Sequence, residues 1–112
     1  MGKGRHLAEF ELYLLLALAH LGEGAYGVTI RREIERRSGR PVAIGAVYAT
    51  LARLEEKGLV RFTVTEPRPV PGGRSRKCVS LTRAGERALQ RSADMLLRML
   101  RGLEPRLALS DP

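Results

Sequence analysis

Apolar and polar positions alternate along this chain in blocks, and each block has the period of one kind of element. From Glu9 to Leu21, the residues Leu12, Tyr13, Leu14, Leu15, Leu16, Ala17, Leu18 and Ala19 run without a polar side until His20. This predicts a helix apolar all round, which has to be covered on more than one face. In so short a chain, one of those covers is expected to be a second subunit. Gly22-Glu23-Gly24-Ala25 ends the block. A second helix is predicted from Tyr26 or Gly27 to about Ser38, with Val28, Ile30 and Ile34 inward and Arg31, Arg32, Glu35 and Arg36 outward. Pro41 cannot continue a helix and pushes the residue before it into an extended conformation. Ile44, Val47, Leu51 and Leu54 then fall on one stripe of a third helix, Ile44 to Lys57, closed by Gly58 at its C′ position. Gly45, Ala46, Ala49, Ala52 and Arg53 lie on its other side.

From Leu59 to Thr65 the period changes to two: Val60, Phe62 and Val64 face one way, Arg61, Thr63 and Thr65 the other. Pro67 to Gly73 reads as a loop. Arg74 to Leu81 reads as a second strand, giving an antiparallel hairpin with a long basic tip. The last helix is predicted from Thr82, as N-cap, to about Glu104. Leu89, Ala93, Leu96, Leu100, Leu103 and Leu107 are spaced as a heptad seam, and Pro105 is expected to end or kink the helix. The order predicts a mainly α fold with a small β-hairpin: a winged helix-turn-helix over residues 1–81 and a C-terminal dimerisation helix and tail over 82–112.

Composition narrows the partners. The 112 residues, 44% hydrophobic and 29% charged, suit one globular domain. Twenty Lys and Arg against twelve Asp and Glu give a net charge of +8, and seventeen of the twenty are Arg. Such an excess points to a polyanion, and Arg forks onto phosphate and guanine better than Lys. Residues 59–81 hold five bases and one acid, half the net charge in about a fifth of the chain. Cys78 is the only cysteine, which excludes an intrachain disulfide or a zinc finger and suits a reducing compartment. The longest apolar run has eight residues, against the roughly 20 of a bilayer span, and no signal-peptide pattern opens the chain. The expected setting is the cytoplasm, with no membrane partner.

Enzymatic readings find little to stand on. Gly22-Glu23-Gly24-Ala25-Tyr26-Gly27 spells a dinucleotide-binding pattern, but that chemistry needs a strand before it, and a helix stands there. A glycine-rich helix–helix turn is the better reading. His6 and His20 have no Cys, Asp or Glu at ligand spacing, and no Ser, Cys or Lys is accompanied by a base and an orienting group. No cofactor, metal or catalytic activity is therefore expected. The hairpin is more informative: Arg74, Arg76 and Lys77 lie beside Gly72-Gly73, where a winged helix-turn-helix grips phosphate while its third helix enters the major groove.

At these positions the chain resembles the PadR-like transcriptional regulators, in particular the small subgroup with a single C-terminal helix. The likeness rests on Leu14 to Leu18, on Gly24-Ala25-Tyr26-Gly27, on Gly45 to Val60, on Gly72 to Lys77, and on Leu81-Thr82-Arg83-Ala84-Gly85. Two positions depart from the family's pattern: Ala43 where a capping Ser is frequent, and Ile44 where Pro is frequent. The resemblance implies a homodimeric repressor of double-stranded DNA, bound to an inverted-repeat operator and released by a small apolar or aromatic effector held between subunits. Gly45, Ala46, Tyr48, Ala49, Arg53, Arg74, Arg76 and Lys77 would then meet DNA. Leu14, Leu18, Leu89, Leu96, Leu100 and Leu103 would form the dimer interface, and Leu14, Met95 and Met99 the effector pocket.

Each assignment has a plainer rival. Tyr48 reads equally as a half-buried ring linking helices. Arg53 reads as an ion-pair partner of Glu56 or Glu33, and the small residues of the third helix as fillers. The methionines read as ordinary core. For the whole chain the rival is a structural dimerisation module whose basic hairpin binds nucleic acid without sequence preference.

Overall fold

A computed structural model describes residues 6–64 and 77–108. Along it run α1 (Glu9–Leu21), α2 (Gly27–Ser38), α3 (Ile44–Glu56), β1 (Val60–Val64), β2 (Lys77–Leu81), α4 (Arg83–Leu100) and the one-turn α5 (Glu104–Leu107). The mainly helical architecture with one antiparallel hairpin is the one the residue periods predict. Helix α1 is the hub, in contact with α2, α3, β2 and α4. Four neighbours in one chain account for a helix with no polar side. They also correct an expectation: Leu14 is 0% exposed and Leu18 3%, so neither has surface left for a partner subunit or an effector. The core joins them to Leu15, Ile30, Ile34, Val47, Leu51, Leu54, Val60 and Val79.

The connections are fixed by backbone chemistry. Gly22 and Gly24 both have positive φ, so the dinucleotide-like text is a helix–helix turn. That turn presents the Ala25 carbonyl, which accepts the Val79 N–H at 2.8 Å and ties the hairpin to the start of α2. Between α2 and α3 the Glu35 carboxylate accepts the Val42 N–H at 2.9 Å. This side-chain bond shapes the turn in place of a capping hydroxyl, since Ala43 at the N-cap of α3 provides none. Helix α3 ends as expected, with Gly58 at φ +76°. The N–H of Leu59 reaches the Leu54 carbonyl and that of Gly58 the Glu55 carbonyl, both at 2.9 Å, a Schellman closure.

Thr82 joins this closure to α4. Its hydroxyl donates to the Gly58 carbonyl at 2.6 Å and accepts the Gly85 N–H at 3.0 Å. Gly85 has to be glycine, because a Cβ there would lie 2.0 Å from the Leu59 carbonyl oxygen. The first turns of α4 thus belong to the core, with Gly85 and Ala88 buried. Further along, α4 ends at Leu100, four residues before the expected Glu104. Gly102 at φ +90° breaks it, and Pro105 starts α5 instead of ending α4. The heptad seam therefore stops at Leu100. Leu103 falls in the bend and is corrected from seam member to N-cap of α5.

Candidate nucleic-acid interface

Helix α3 turns Val47, Thr50, Leu51 and Leu54 into the core. At 3.6 residues per turn this leaves a strip with Gly45, Ala49, Ala52 and Glu56 along its middle. Tyr48 flanks the strip on one side, Ala46 and Arg53 on the other, and all seven residues are exposed. The two large flanking side chains are both held sideways. The Tyr48 ring lies over Gly27, so close that a Cβ at position 27 would be 2.4 Å from its hydroxyl oxygen. Tyr48 is still 49% exposed. The structure thus joins both of its readings: a ring packed between helices, and one with a free face beside the small residues.

On the other flank Arg53 donates to the Thr50 hydroxyl at 3.1 Å and lies 3.8 Å from the Glu11 carboxylate. Its expected partners are replaced. Glu33 is taken by Arg36 and Arg37, whose hydrogen bonds hold its carboxyl below the usual range. Glu11, by contrast, is a buried carboxylate on α1 that sequence reasoning did not single out. It accepts the Ala8 N–H at 2.9 Å and the Lys57 ammonium at 2.9 and 3.1 Å. Burial alone would push its carboxyl up. The Ala8 N–H, Lys57 and Arg53 outweigh that and hold it below the ordinary value. The available signal was an acid directly beside the apolar run that begins at Leu12. Gly27 and Gly85 were equally unflagged as contacts, because glycine text does not say which side chain will approach, whereas Thr82 is the expected cap and in addition reaches Gly58.

In the hairpin, Val60 pairs with Leu81 and Val64 with Lys77. That register puts Lys77 on the same face as Phe62, and its ammonium lies 4.6 Å from the ring centroid. The far end of this face is open, with Val64 70% exposed. Arg74 and Arg76 lie outside the described residues. Among the described residues no cluster of three or more His, Cys, Asp or Glu is placed to hold a metal, and no helix is long and apolar enough to cross a membrane.

The remaining candidates are on α4. Leu89 is partly buried against the core. Beyond it Met95, Leu96, Leu97 and Met99 are exposed. Met95 and Leu96, with Leu7 and Leu12, line a groove of about 270 Å³ between the N-terminal part of the chain and α4. Leu14 does not line it and neither does Met99, so the three residues expected to share one effector pocket are not brought together.

Residues 15–91 match the model of the transcriptional regulator PadR-like family. A relative from Streptomyces fradiae, described as an uncharacterized 37.1 kDa protein in transposon TN4556, is 37% identical over 86 residues. The match takes in 76% of this chain but only 23% of that protein's length. Among solved structures, RosR of H. salinarum is similar at a TM-score of 0.69 and 26% identity, over 91% of this chain and 83% of that one. Bacillus subtilis PadR in complex with operator DNA is similar at a TM-score of 0.63 and 20% identity, over 77% of this chain and 47% of that one. At that identity the likeness concerns the fold.

Proposed function

The chain belongs to the PadR-like family of transcriptional regulators, and from that premise we propose that it is a homodimeric, sequence-specific binder of double-stranded DNA that represses by occupying an inverted-repeat operator. The observation that carries this reading is the exposed strip of α3. Gly45, Ala49 and Ala52 are small, Glu56 bounds the strip at its C-terminal end, and Tyr48 and Arg53 beside it are turned sideways. A strip of that shape lets a helix backbone lie deep in the major groove and meet thymine methyls. Base-edge donors are scarce on it, so DNA shape supplies much of the discrimination. Lys77, with Arg74 and Arg76, serves the phosphate backbone. Dimerisation is supported by the apolar surface that α4 leaves uncovered at Met95, Leu96, Leu97 and Met99. An apolar effector, where one acts, enters the groove beside Met95 and Leu96, which the partner's helix would close.

Selection of bound duplexes from a random library at about 0.15 M salt tests the proposal. The expected result is an enriched inverted repeat and, by light scattering, a two-chain protein. Enrichment of no sequence over background would leave the rival reading, a dimerisation module that binds nucleic acid through charge alone.

A further inference from the structure

Gly27 and Tyr48 are 21 positions apart and belong to different helices, yet neither position can be described without the other. A Cβ on Gly27 would lie 2.4 Å from the Tyr48 hydroxyl oxygen, 2.5 Å from Cζ and 2.8 Å from Cε1. Those separations are far inside van der Waals contact, so any side chain at position 27 displaces the ring. Backbone conformation does not demand glycine there, because Gly27 is not among the glycines with positive φ. The requirement is steric and comes from Tyr48. On α3, Tyr48 neighbours Gly45 and Ala52 at spacings of three and four, so a ring that leaves its place over α2 has the small-residue strip beside it.

We propose that Gly27 is a specificity-determining position: it is the seat that holds the Tyr48 ring flat against α2 and keeps the α3 strip smooth enough to enter the groove. The inference rests on the DNA-binding reading and adds the residue that shapes the reading surface. Tyr48 is thereby a positioning residue as well as a surface one. The atoms in the way are the far end of a half-exposed side chain, so a substitution at position 27 swings the ring out and leaves the core untouched.

The test uses Gly27→Ala, Tyr48→Ala and the double variant in the full chain, with the duplex enriched from the random library as probe. Carbon-labelled tyrosine NMR on free protein reads the ring, and urea unfolding reads the fold. Expected are a shifted Tyr48 ring signal and near-native stability in Gly27→Ala. Operator affinity should fall about tenfold or more, the cost of a mismatched base pair, while binding to scrambled duplex changes little. In the Tyr48→Ala background, Gly27→Ala should then cost nothing further. An unmoved ring, or additive losses in the double variant, overturns the proposal. Ring displacement with operator affinity intact overturns the seat's role in recognition. A wild type that enriches no duplex sinks the DNA-binding reading, and the inference with it, even if the ring moves.

Discussion

Glu11 offers the sharpest test of how α3 is held. It is 3% exposed, and its carboxylate accepts one backbone N–H at 2.9 Å and a Lys57 ammonium at 2.9 and 3.1 Å. Glu11→Gln keeps the shape and an acceptor for Ala8 but removes the charge that faces Lys57 and Arg53. Hydrogen bonds to charged groups contribute roughly 1.5–3 kcal/mol each. Lys57 keeps 30% of its side chain in contact with solvent and can turn to water when its partner is lost. Arg53, at 3.8 Å and more than half exposed, adds little. The expected loss is about 2 kcal/mol at neutral pH, read from urea midpoints at fixed protein concentration. Because the folded carboxyl titrates below its ordinary value of 4.5, the stabilisation is fully present above that value. It fades as pH falls through the folded value, and the variant's penalty should fade with it. A penalty under about 0.5 kcal/mol at neutral pH, or one that stays constant down to about pH 3, refutes the reasoning.

Other expectations follow from the same contacts. Gly85→Ala sets a Cβ against the Leu59 backbone and should cost about 3 kcal/mol; an unchanged urea midpoint would show that α4 does not rest on that turn. Leu96 is 48% exposed, so closing it in a dimer is worth about 1 kcal/mol per subunit, and Leu96→Glu should give monomers by light scattering; a wild type already monomeric at micromolar concentration would remove the premise. Ala49→Leu should narrow the gap between operator and scrambled duplex, whereas Lys77→Gln should weaken both alike and lower the salt slope by about one. The opposite pattern would exchange the roles assigned to helix and hairpin.

What the sequence made legible was whatever a period or a single special residue encodes. The stripe Val47-Leu51-Leu54, the alternation of the first strand, Gly58 as helix stop and Thr82 as cap are all local facts, and the fold keeps them. Where the reading failed, a glycine's conformation or a packing partner from elsewhere in the chain decided. The heptad spacing through Leu103 is regular as text, but Gly102 takes a left-handed conformation and α4 stops before it. The apolar face of α1 looked like surface for a second subunit, yet α2, α3, α4 and β2 of the same chain cover Leu14 and Leu18. The larger apolar surface left open is on α4, at Met95, Leu96, Leu97 and Met99, with Leu16 the exposed leucine of α1.

The same distinction explains why the reading surface was only half visible. That Gly45, Ala49 and Ala52 share a face follows from helical geometry alone. That the face stays smooth depends on two long-range contacts: Tyr48 against Gly27 on one flank, and Arg53 toward Glu11 on the other. Each joins α3 to a different helix. Glu11 is on the helix that packs against α4, and Thr82 ties the start of α4 to the end of α3. A shift of α4 against its neighbours therefore reaches α3 by two routes, through Glu11 and Lys57 and through Thr82 and Gly58. Were a second copy to dock on α4, these hydrogen bonds would carry its contacts to α3. Breaking one route alone should weaken, and breaking both should abolish, any response of operator affinity to substitutions at α4, read by titration with the enriched duplex.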